Sequence, residues 1–284
     1  MENRQIKDEA QQSYSGAQLL LRCLGQQDVE MIFGYPGGAV LPIYDALYDA
    51  EIPNILTRHE QGAVHAAQGY AKSTGKPGVV LVTSGPGATN VVTGIADAMA
   101  DSTPLVVITG QVASPVIGKD AFQEADILGI TLPITKHNYQ VRCIEDLEQT
   151  VAEAFHIATT GRKGPVVIDL PKDMTLVVTD QVREVAPIQI ESYQPNVNPS
   201  EGQINKLMAQ LQKASCPVIL VGAGVTAAGG EELFRAFVDK YHIPTVSTLL
   251  GLGGLPSGAP EFLGMGGMHG SYAANVSLAG CDFL

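Results

Sequence analysis

The sequence predicts an α/β protein built on a parallel sheet, and two observations carry that prediction. Short runs rich in β-branched residues alternate with helical patterns of about 10–15 residues, which is the spacing of βαβ units. Several of these runs are apolar throughout, as strands are when helices cover both faces of a sheet. We therefore expect a parallel-sheet domain followed by a second, partial α/β domain.

The first domain is predicted over residues 14–179, after a polar tail at residues 1–13. Its six strands are predicted at residues 29–33, 54–57, 79–83, 105–109, 139–141 and 166–169. Its helices are predicted near residues 37–49, 61–74, 88–101 and 145–159. Residues 180–199 are rich in Pro, Asn and Gln without periodicity, which predicts a linker.

The second domain is predicted over residues 200–284 and repeats the alternation of helix and strand. Ser200 is placed to cap a helix that ends near Lys213. The elements that follow are a strand at 217–221, a helix at 231–241 and a strand at 244–247. Residues 281–284 have the character of a strand, so we expect the second domain to be truncated.

Composition restricts the function classes. The formal net charge is −12, which disfavours nucleic acid and anionic membranes as partners. The four cysteines lie far apart without a CxxC pair, which indicates reduced thiols and no zinc site. The N-terminus lacks the features of a signal or transit peptide, and no apolar run approaches the ~20 residues of a membrane span. These features predict a cytoplasmic protein.

Glu60 is the candidate catalytic residue. It lies in the sequence RHEQGA (residues 58–63), directly after a predicted strand and at the start of a helix of small residues. The alternative to a catalytic role is a solvated carboxylate that the helix dipole stabilises. The small neighbours Gly62 and Ala63 would instead let a planar ligand approach, and a shielded carboxyl could share a proton with a heterocyclic nitrogen.

Glycine-rich turns follow three predicted strands, at residues 35–39, 84–87 and 222–227. Each is either an ordinary tight turn or a place where a ligand approaches the backbone closely. The second turn lacks the Gly-Lys-Ser/Thr of a Walker A loop. The third matches the dinucleotide pattern G-x-G-x-x-G/A. His269 lies in a further glycine-rich loop that could line a ligand, and no catalytic triad signature is present.

Taken together, these motifs resemble the thiamin-diphosphate-dependent enzymes, and most closely the catalytic subunits of acetohydroxyacid synthase (acetolactate synthase). The resemblance runs from about Ser15 to the last residue. Its motifs are YPGGA at 35–39, RHEQGA at 58–63, SGPGATN at 84–90, DAFQE at 120–124, TKHNY at 135–139, PKD at 171–173 and GMHG at 267–270.

The resemblance implies an enzyme that condenses two pyruvates, or pyruvate and 2-oxobutyrate, with release of CO2. The products are 2-acetolactate or 2-aceto-2-hydroxybutyrate, on the route to branched-chain amino acids. Glu60 matches the acid that protonates the aminopyrimidine ring of thiamin diphosphate. Gly38, Ala39 and Gln123 match further residues of that cofactor site.

The resemblance also implies a substrate channel and a second, non-redox cofactor, FAD. Phe122 and Lys172 match residues that line the substrate channel. The residues matched to the FAD site are Arg162, Gly222, Gly224, Thr248, Leu249, Met268, His269 and Gly270.

One element of the family pattern is absent from the sequence. The family binds Mg²⁺ and the diphosphate through a Gly-Asp-Gly…Asn motif in a third domain, and this chain contains no Gly-Asp pair. The metal ligands are therefore expected outside the chain, in a homodimer or tetramer whose subunits share active sites, with or without a regulatory subunit. Two alternatives stay open: a non-catalytic module that binds FAD or a partner, and another thiamin-diphosphate-dependent 2-oxoacid decarboxylase or carboligase.

Overall fold

The computed structural model describes residues 13–183 and 185–284, which form two compact units. The first unit ends at Pro195 and the second spans Asn196–Leu284. The polar tail predicted for residues 1–13 lies outside the described residues except for Ser13. Across the described ranges, no helix has the length and apolar character needed to cross a membrane.

The first unit contains eight strands and eight α-helices within its described residues. The strands are β1 (Tyr14–Ser15), β2 (Ile32–Tyr35), β3 (Asn54–Leu56), β4 (Gly78–Val82), β5 (Leu105–Gln111), β6 (His137–Gln140), β7 (Pro165–Pro171) and β8 (Val178–Thr179). The helices are α1 (Gly16–Gln26), α2 (Leu41–Tyr48), α3 (Glu60–Thr74), α4 (Pro86–Thr89), α5 (Val92–Asp101), α6 (Ile127–Thr131), α7 (Leu147–Thr159) and α8 (Lys172–Leu176).

Six of these strands form one parallel sheet in the order β3-β2-β4-β5-β7-β6, which confirms the predicted fold class. The short strands β1 and β8 pair antiparallel outside this sheet. The strand order changes direction between β2 and β4: β3 lies on one side of β2, and β4, the next strand in the chain, lies on its other side. In open α/β sheets such a switch point forms a crevice at the carboxyl ends of the strands, where ligands bind.

Helices cover both faces of the sheet. Alternate residues of β4 divide between two hydrophobic clusters: Val79 and Leu81 pack with α1, α2 and α7, whereas Val80 and Val82 pack with α3 and α5. All five residues of β4 and all seven of β5 are buried. This two-sided burial explains why the central strands are continuously apolar in sequence.

The structure differs from the sequence predictions at several places in the first unit, and the helices α1, α6 and α8 were not predicted. The helix predicted at 88–101 is two helices, because the amide of Val91 bonds to the carbonyl of Ala88, three residues back, at the junction. The pairing of β1 with β8 was not predicted, since two-residue strands leave no periodicity. Part of the predicted linker at 180–199 belongs to the first unit, because Val182, Ile190 and Tyr193 contact its hydrophobic core.

The second unit contains a three-stranded parallel sheet in the order β11-β10-β9. Its strands are β9 (Ile219–Val221), β10 (Thr245–Ser247) and β11 (Phe262–Met265). Its helices are α9 (Glu201–Leu211), α10 (Gly224–Ala227), α11 (Glu231–Tyr241) and α12 (Tyr272–Gly280). The α11 boundaries match the predicted 231–241.

Two predictions for the second unit need correction. Ser200 occupies the N-cap position of α9, but its side chain makes no capping hydrogen bond. Residues 281–284 form only a single parallel bridge, between Phe283 and Pro217, in place of a strand. The strand β11 was not predicted, because its sequence FLGM contains a glycine and follows a loop rich in Pro and Gly.

Candidate active site

Glu60 is the first residue of α3, at the carboxyl end of β3. The helix begins there because His59 acts as its N-cap: its Nδ1 accepts a hydrogen bond from the amide of Gln61 at 3.1 Å. Gly75, with φ of 76°, ends the helix. The Glu60 carboxylate thus lies at the positive end of the helix dipole, yet it is only 9% exposed.

One oxygen of Glu60 accepts a hydrogen bond from the protein and the other has no donor among the described residues. The Asn90 side-chain amide donates to Oε2 at 2.9 Å. Among the described residues, no hydrogen-bond donor reaches Oε1. A Cβ on Gly87 would come within 2.7 Å of the Thr83 side chain and 3.4 Å of Oε1, so glycine is required here by its packing on Thr83. The carboxyl is therefore oriented by the protein through one of its two oxygens.

The turns that follow β2 and β4 meet beside Glu60, at the switch point of the sheet. The amide of Ala39 donates to Thr83 Oγ1 at 3.2 Å. A Cβ on Gly37 would come within 2.4 Å of the Thr83 side chain, so only glycine permits this contact. Gly38 lies between Gly37 and Ala39, and no atom lies within 4 Å of the position that a Cβ on Gly38 would take.

Tyr44 supports the same crevice from α2. Its hydroxyl donates to the carbonyl of Leu81 in β4 at 3.1 Å. Burial, with a smaller contribution from the nearby Glu60 carboxylate, raises the pKa of Tyr44, which keeps the phenol neutral. The neutral hydroxyl can therefore remain a hydrogen-bond donor at this position.

Gln123 and Phe122 lie in the segment between β5 and α6, at the same edge of the sheet. Gln123 has φ of 57°, and its backbone lies directly against Gly85, whose Cβ would come within 2.5 Å of the Gln123 carbonyl oxygen. The Phe122 side chain is 86% exposed. Lys172 follows β7 at this edge, at the start of α8.

A buried polar cluster at the ends of β5, β6 and β7 was missed at the sequence level. Asp169 accepts hydrogen bonds from Thr109 Oγ1 at 2.9 Å, Gln140 Nε2 at 3.0 Å and Gln111 Nε2 at 3.2 Å. Burial raises the pKa of Asp169 to about 6, despite these three donors, and the field of Asp126 adds to the rise. The available signal was that all four polar residues lie among the last three residues of parallel strands.

Arg162 lies at the opposite edge of the sheet, just before β7. Its guanidinium donates to Ser102 Oγ at 2.7 Å and to the carbonyls of Met99 and Ala100 at 3.1 and 3.2 Å. Arginine at the C-terminal end of α5 satisfies carbonyls that the helix itself leaves unpaired. The structure therefore does not bring Arg162 together with Glu60.

The candidate FAD residues of the second unit all lie at the carboxyl edge of its sheet. Gly222 and Gly224 follow β9, Thr248 and Leu249 follow β10, and the three residues Met268, His269 and Gly270 follow β11. The first two loops are adjacent, since a Cβ on Gly222 would lie 3.5 Å from Thr248 Oγ1.

The loop after β11 is shaped by its own hydrogen bonds. Asn275 accepts from the amide of Gly267 at 2.8 Å and donates to its carbonyl at 2.9 Å. The Met268 side chain that this loop carries is 91% exposed. The second unit thus presents glycine turns and uncovered side chains along one edge, which is the arrangement of a ligand-binding surface.

Two family models match the chain. The N-terminal TPP-binding domain of thiamine pyrophosphate enzymes matches residues 14–130, and the central domain of these enzymes matches residues 204–284. The first match covers strands β1 to β5 of the first unit and includes Glu60. The chain belongs to the thiamine pyrophosphate enzymes.

Within that family, the chain is similar to large subunits of acetolactate synthase. The Lactococcus lactis large subunit is 55% identical over 271 residues, which cover 95% of this chain and 47% of the relative. The Methanocaldococcus jannaschii probable large subunit is 48% identical, and the Escherichia coli isozyme 2 large subunit is 47% identical, each over 95% of this chain. The chain spans about half the length of the curated relatives it matches.

The geometry around Glu60 fits the aminopyrimidine of thiamin diphosphate. A ring nitrogen that shares a proton needs one buried carboxyl with an oxygen not used by the protein, and Glu60 provides it. Gly38 leaves backbone open for close approach of a planar ring, since no atom lies within 4 Å of the position that its Cβ would take. For the diphosphate the described ranges offer no comparable metal site, since their His, Cys, Asp and Glu side chains form no cluster of three or more.

Proposed function

We propose that this chain forms the pyrimidine-binding and central domains of an acetolactate synthase catalytic subunit, a transferase of branched-chain amino acid biosynthesis. The substrates would be two pyruvates, or pyruvate and 2-oxobutyrate, and the products 2-acetolactate or 2-aceto-2-hydroxybutyrate with CO2. The observation that carries the proposal is the buried Glu60 carboxyl, with one oxygen fixed by Asn90 and the other left for a ligand. The similarity to acetolactate synthase large subunits supports the choice of reaction.

Thiamin diphosphate, when bound, supplies the electron sink for 2-oxoacid decarboxylation. The chain's own residues have three tasks in this proposal. Glu60 exchanges a proton with the aminopyrimidine through Oε1, while Asn90 keeps the carboxyl oriented. Gly38, Ala39 and Gln123 line the cofactor. Phe122 and Lys172, at the same sheet edge, line the path of the 2-oxoacid, where the Lys172 ammonium attracts a carboxylate.

The remaining parts of the proposal concern other ligands and partners. We assign Mg²⁺ and the diphosphate to residues outside this sequence, because it contains no Gly-Asp pair. We assign FAD to the carboxyl edge of the second unit, and Arg162 is the candidate FAD residue of the first unit. We also propose a dimer or tetramer, with a regulatory subunit as a further partner, and a cytoplasmic location, which the four free cysteines support.

The test is acetolactate formation from pyruvate by the full-length protein, measured with and without thiamin diphosphate and Mg²⁺. The proposal predicts activity that requires both additions. The 284-residue chain by itself is predicted to be inactive. Failure of the fully loaded protein to form acetolactate would refute the assigned reaction, whereas activity of the chain alone would refute the assignment of the diphosphate site.

A further inference from the structure

Asp169 is a buried acid that the proposed function does not use. Its carboxylate is 0% exposed and accepts three hydrogen bonds, from Thr109, Gln111 and Gln140. A carboxylate removed from water costs free energy even when it is hydrogen-bonded. This cost indicates that the cluster has a structural task.

Gln111 connects this carboxylate to the segment that carries Gln123. The Gln111 Nε2 amide donates to Asp169 Oδ2 at 3.2 Å and to the carbonyl of Ala125 at 3.1 Å. Its Oε1 accepts from the amide of Val112 at 2.9 Å. The side chain is 3% exposed, so every polar atom of this amide is bound within the protein. Asp169 therefore fixes the orientation of an amide that in turn holds Ala125.

The segment held in this way is the Gln123 loop, residues 117–126. Within it, the Glu124 carboxylate accepts from the amides of Gly118 and Ala121, so the loop keeps its own internal shape. Asp120 and Gln123 both have positive φ, 54° and 57°. Non-glycine residues hold such a conformation only where surrounding contacts enforce it.

We propose that Asp169, acting through Gln111, is a positioning residue that holds the Gln123 loop against the turn at Gly85. This inference rests on the proposed function only for what the loop presents, namely Gln123 to the thiamin diphosphate site. The contact itself does not depend on that function. Ala125 anchors one end of the loop to the sheet, and Gln123 packs on Gly85. Gly85 lies two residues before Gly87, whose Cβ position is 3.4 Å from the Glu60 carboxyl.

Hydrogen bonding rather than charge performs this task. An asparagine at position 169 offers one oxygen to Gln111 and Gln140, and its amide can donate to the Thr109 hydroxyl, which both accepts and donates. Asp169→Asn therefore keeps the three contacts, whereas Asp169→Ala removes the acceptor shared by Thr109, Gln111 and Gln140. Gln111→Met removes the connection to Ala125 while keeping the length of the side chain. Thr109→Val removes one donor to Asp169 and no contact with the loop, which makes it the matched control.

The test is amide hydrogen exchange of this chain, measured by mass spectrometry for the Gln123 loop and for β4. In Gln111→Met and Asp169→Ala, exchange in the loop should rise about 10-fold relative to the wild type, as expected for loss of a buried hydrogen bond. Exchange in β4 should not change by that factor. Asp169→Asn and Thr109→Val should leave the loop within about twofold of wild type.

Equal loosening of the loop and β4, or an unchanged loop in Gln111→Met, would overturn the proposal. Should Asp169→Ala fail to fold, the pair Gln111→Met and Asp169→Asn still decides it. A second measurement, in the full-length protein, is the thiamin diphosphate concentration for half-maximal activity, which Gln111→Met should raise about 10-fold. A loosened loop without this rise would keep the positioning role and refute the assignment of Gln123 to the cofactor.

Discussion

The carboxyl edges of the two sheets carry candidate sites of opposite construction. In the first unit the polar side chains are buried and joined to one another: Glu60 to Asn90, and Asp169 to Thr109, Gln111 and Gln140. In the second unit the candidate residues are glycines and exposed side chains, with Met268 and Leu249 largely uncovered. The carboxyl edge of the first sheet is preformed, whereas the carboxyl edge of the second sheet is exposed.

The difference follows from how much core each unit has beneath its site. The sheet of the first unit lies between two hydrophobic clusters, and its central strands are fully buried. The second unit has one cluster of three buried residues, Val218, Val246 and Ala274. A rigid polar site requires packing that fixes its rotamers, so the smaller core supports only glycine-rich loops.

The glycine turns of the two units give the largest predicted contrast. Gly85 has φ of 55° and lies against the Gln123 carbonyl, so Gly85→Ala should lower the free energy of unfolding of the first unit by about 3 kcal/mol. Gly224 begins α10 with no atom within 4 Å of its Cβ position. Gly224→Ala should therefore change stability by no more than about 0.5 kcal/mol. Urea unfolding curves of the two variants measure both values.

A tolerated Gly85→Ala would contradict the view that the first edge is tightly preformed. A large loss in Gly224→Ala would show that the second edge is more constrained than its exposure indicates.

Asp169 provides a pH-dependent contrast, because the second edge has no comparable buried acid among its described residues. Burial raises the pKa of Asp169 from the ordinary 3.8 to about 6. Its contribution to stability is thus fully present below pH 3.8 and is lost as the pH rises through about 6. One pKa unit corresponds to about 1.4 kcal/mol, so the wild type should lose about 3 kcal/mol relative to Asp169→Asn over this range.

Amide exchange in β5 and β7 measures this loss in the first unit alone, at pH 4 and pH 7. The charged groups near Asp169 are Asp126, whose field raises its pKa, and Arg142, which contacts Gln140. A stability difference that stays constant between the two pH values would show that Asp169 does not titrate in this window.

Met268 gives the smallest predicted effect on stability. Because its side chain is exposed, Met268→Ala should alter the unfolding free energy of the second unit by less than about 0.5 kcal/mol. The affinity of the full-length protein for FAD should nevertheless fall about 10-fold, since an apolar side chain of this size contributes about 1.4 kcal/mol when a ligand covers it. Flavin fluorescence titration measures the affinity.

Leu233→Ala is the matched control for Met268→Ala. Leu233 is 80% exposed on α11 and is not among the candidate FAD residues, so its removal should leave FAD affinity unchanged. Equal effects of the two variants, or none from Met268→Ala, would remove Met268 from the FAD site.

Sequence patterns predicted the parts of the molecule that depend on local order. The six strands of the large sheet were each predicted, and burial on both faces explains the apolar runs of the central strands β4 and β5. The position of Glu60 after a strand and beside glycine turns was also predictable, because parallel strands bring their carboxyl ends to one edge. The helix at Glu231–Tyr241 was also predicted, at about these bounds.

Tertiary pairing decided what the sequence did not reveal. Asp169 and its three partners come from strands whose order, β5-β7-β6, differs from their order along the chain. The Asn90 contact to Glu60 depends on the break between α4 and α5, which the helical pattern did not indicate. The role of Arg162 was not predictable either, since only the structure shows that its guanidinium donates to carbonyls at the C-terminal end of α5.

The central claim is that the Glu60 carboxyl acts on the cofactor from a preformed pocket. The most direct measurement is the exchange rate of the C2 proton of thiamin diphosphate bound to the full-length protein, followed by NMR for wild type, Glu60→Gln and Glu51→Gln. Glu51 is an exposed carboxylate in the loop before β3 and serves as the matched control. Glu60→Gln should slow the exchange by about 100-fold or more, as expected for loss of an acid–base group, with Glu51→Gln unchanged. Exchange at a near-normal rate in Glu60→Gln would contradict the claim.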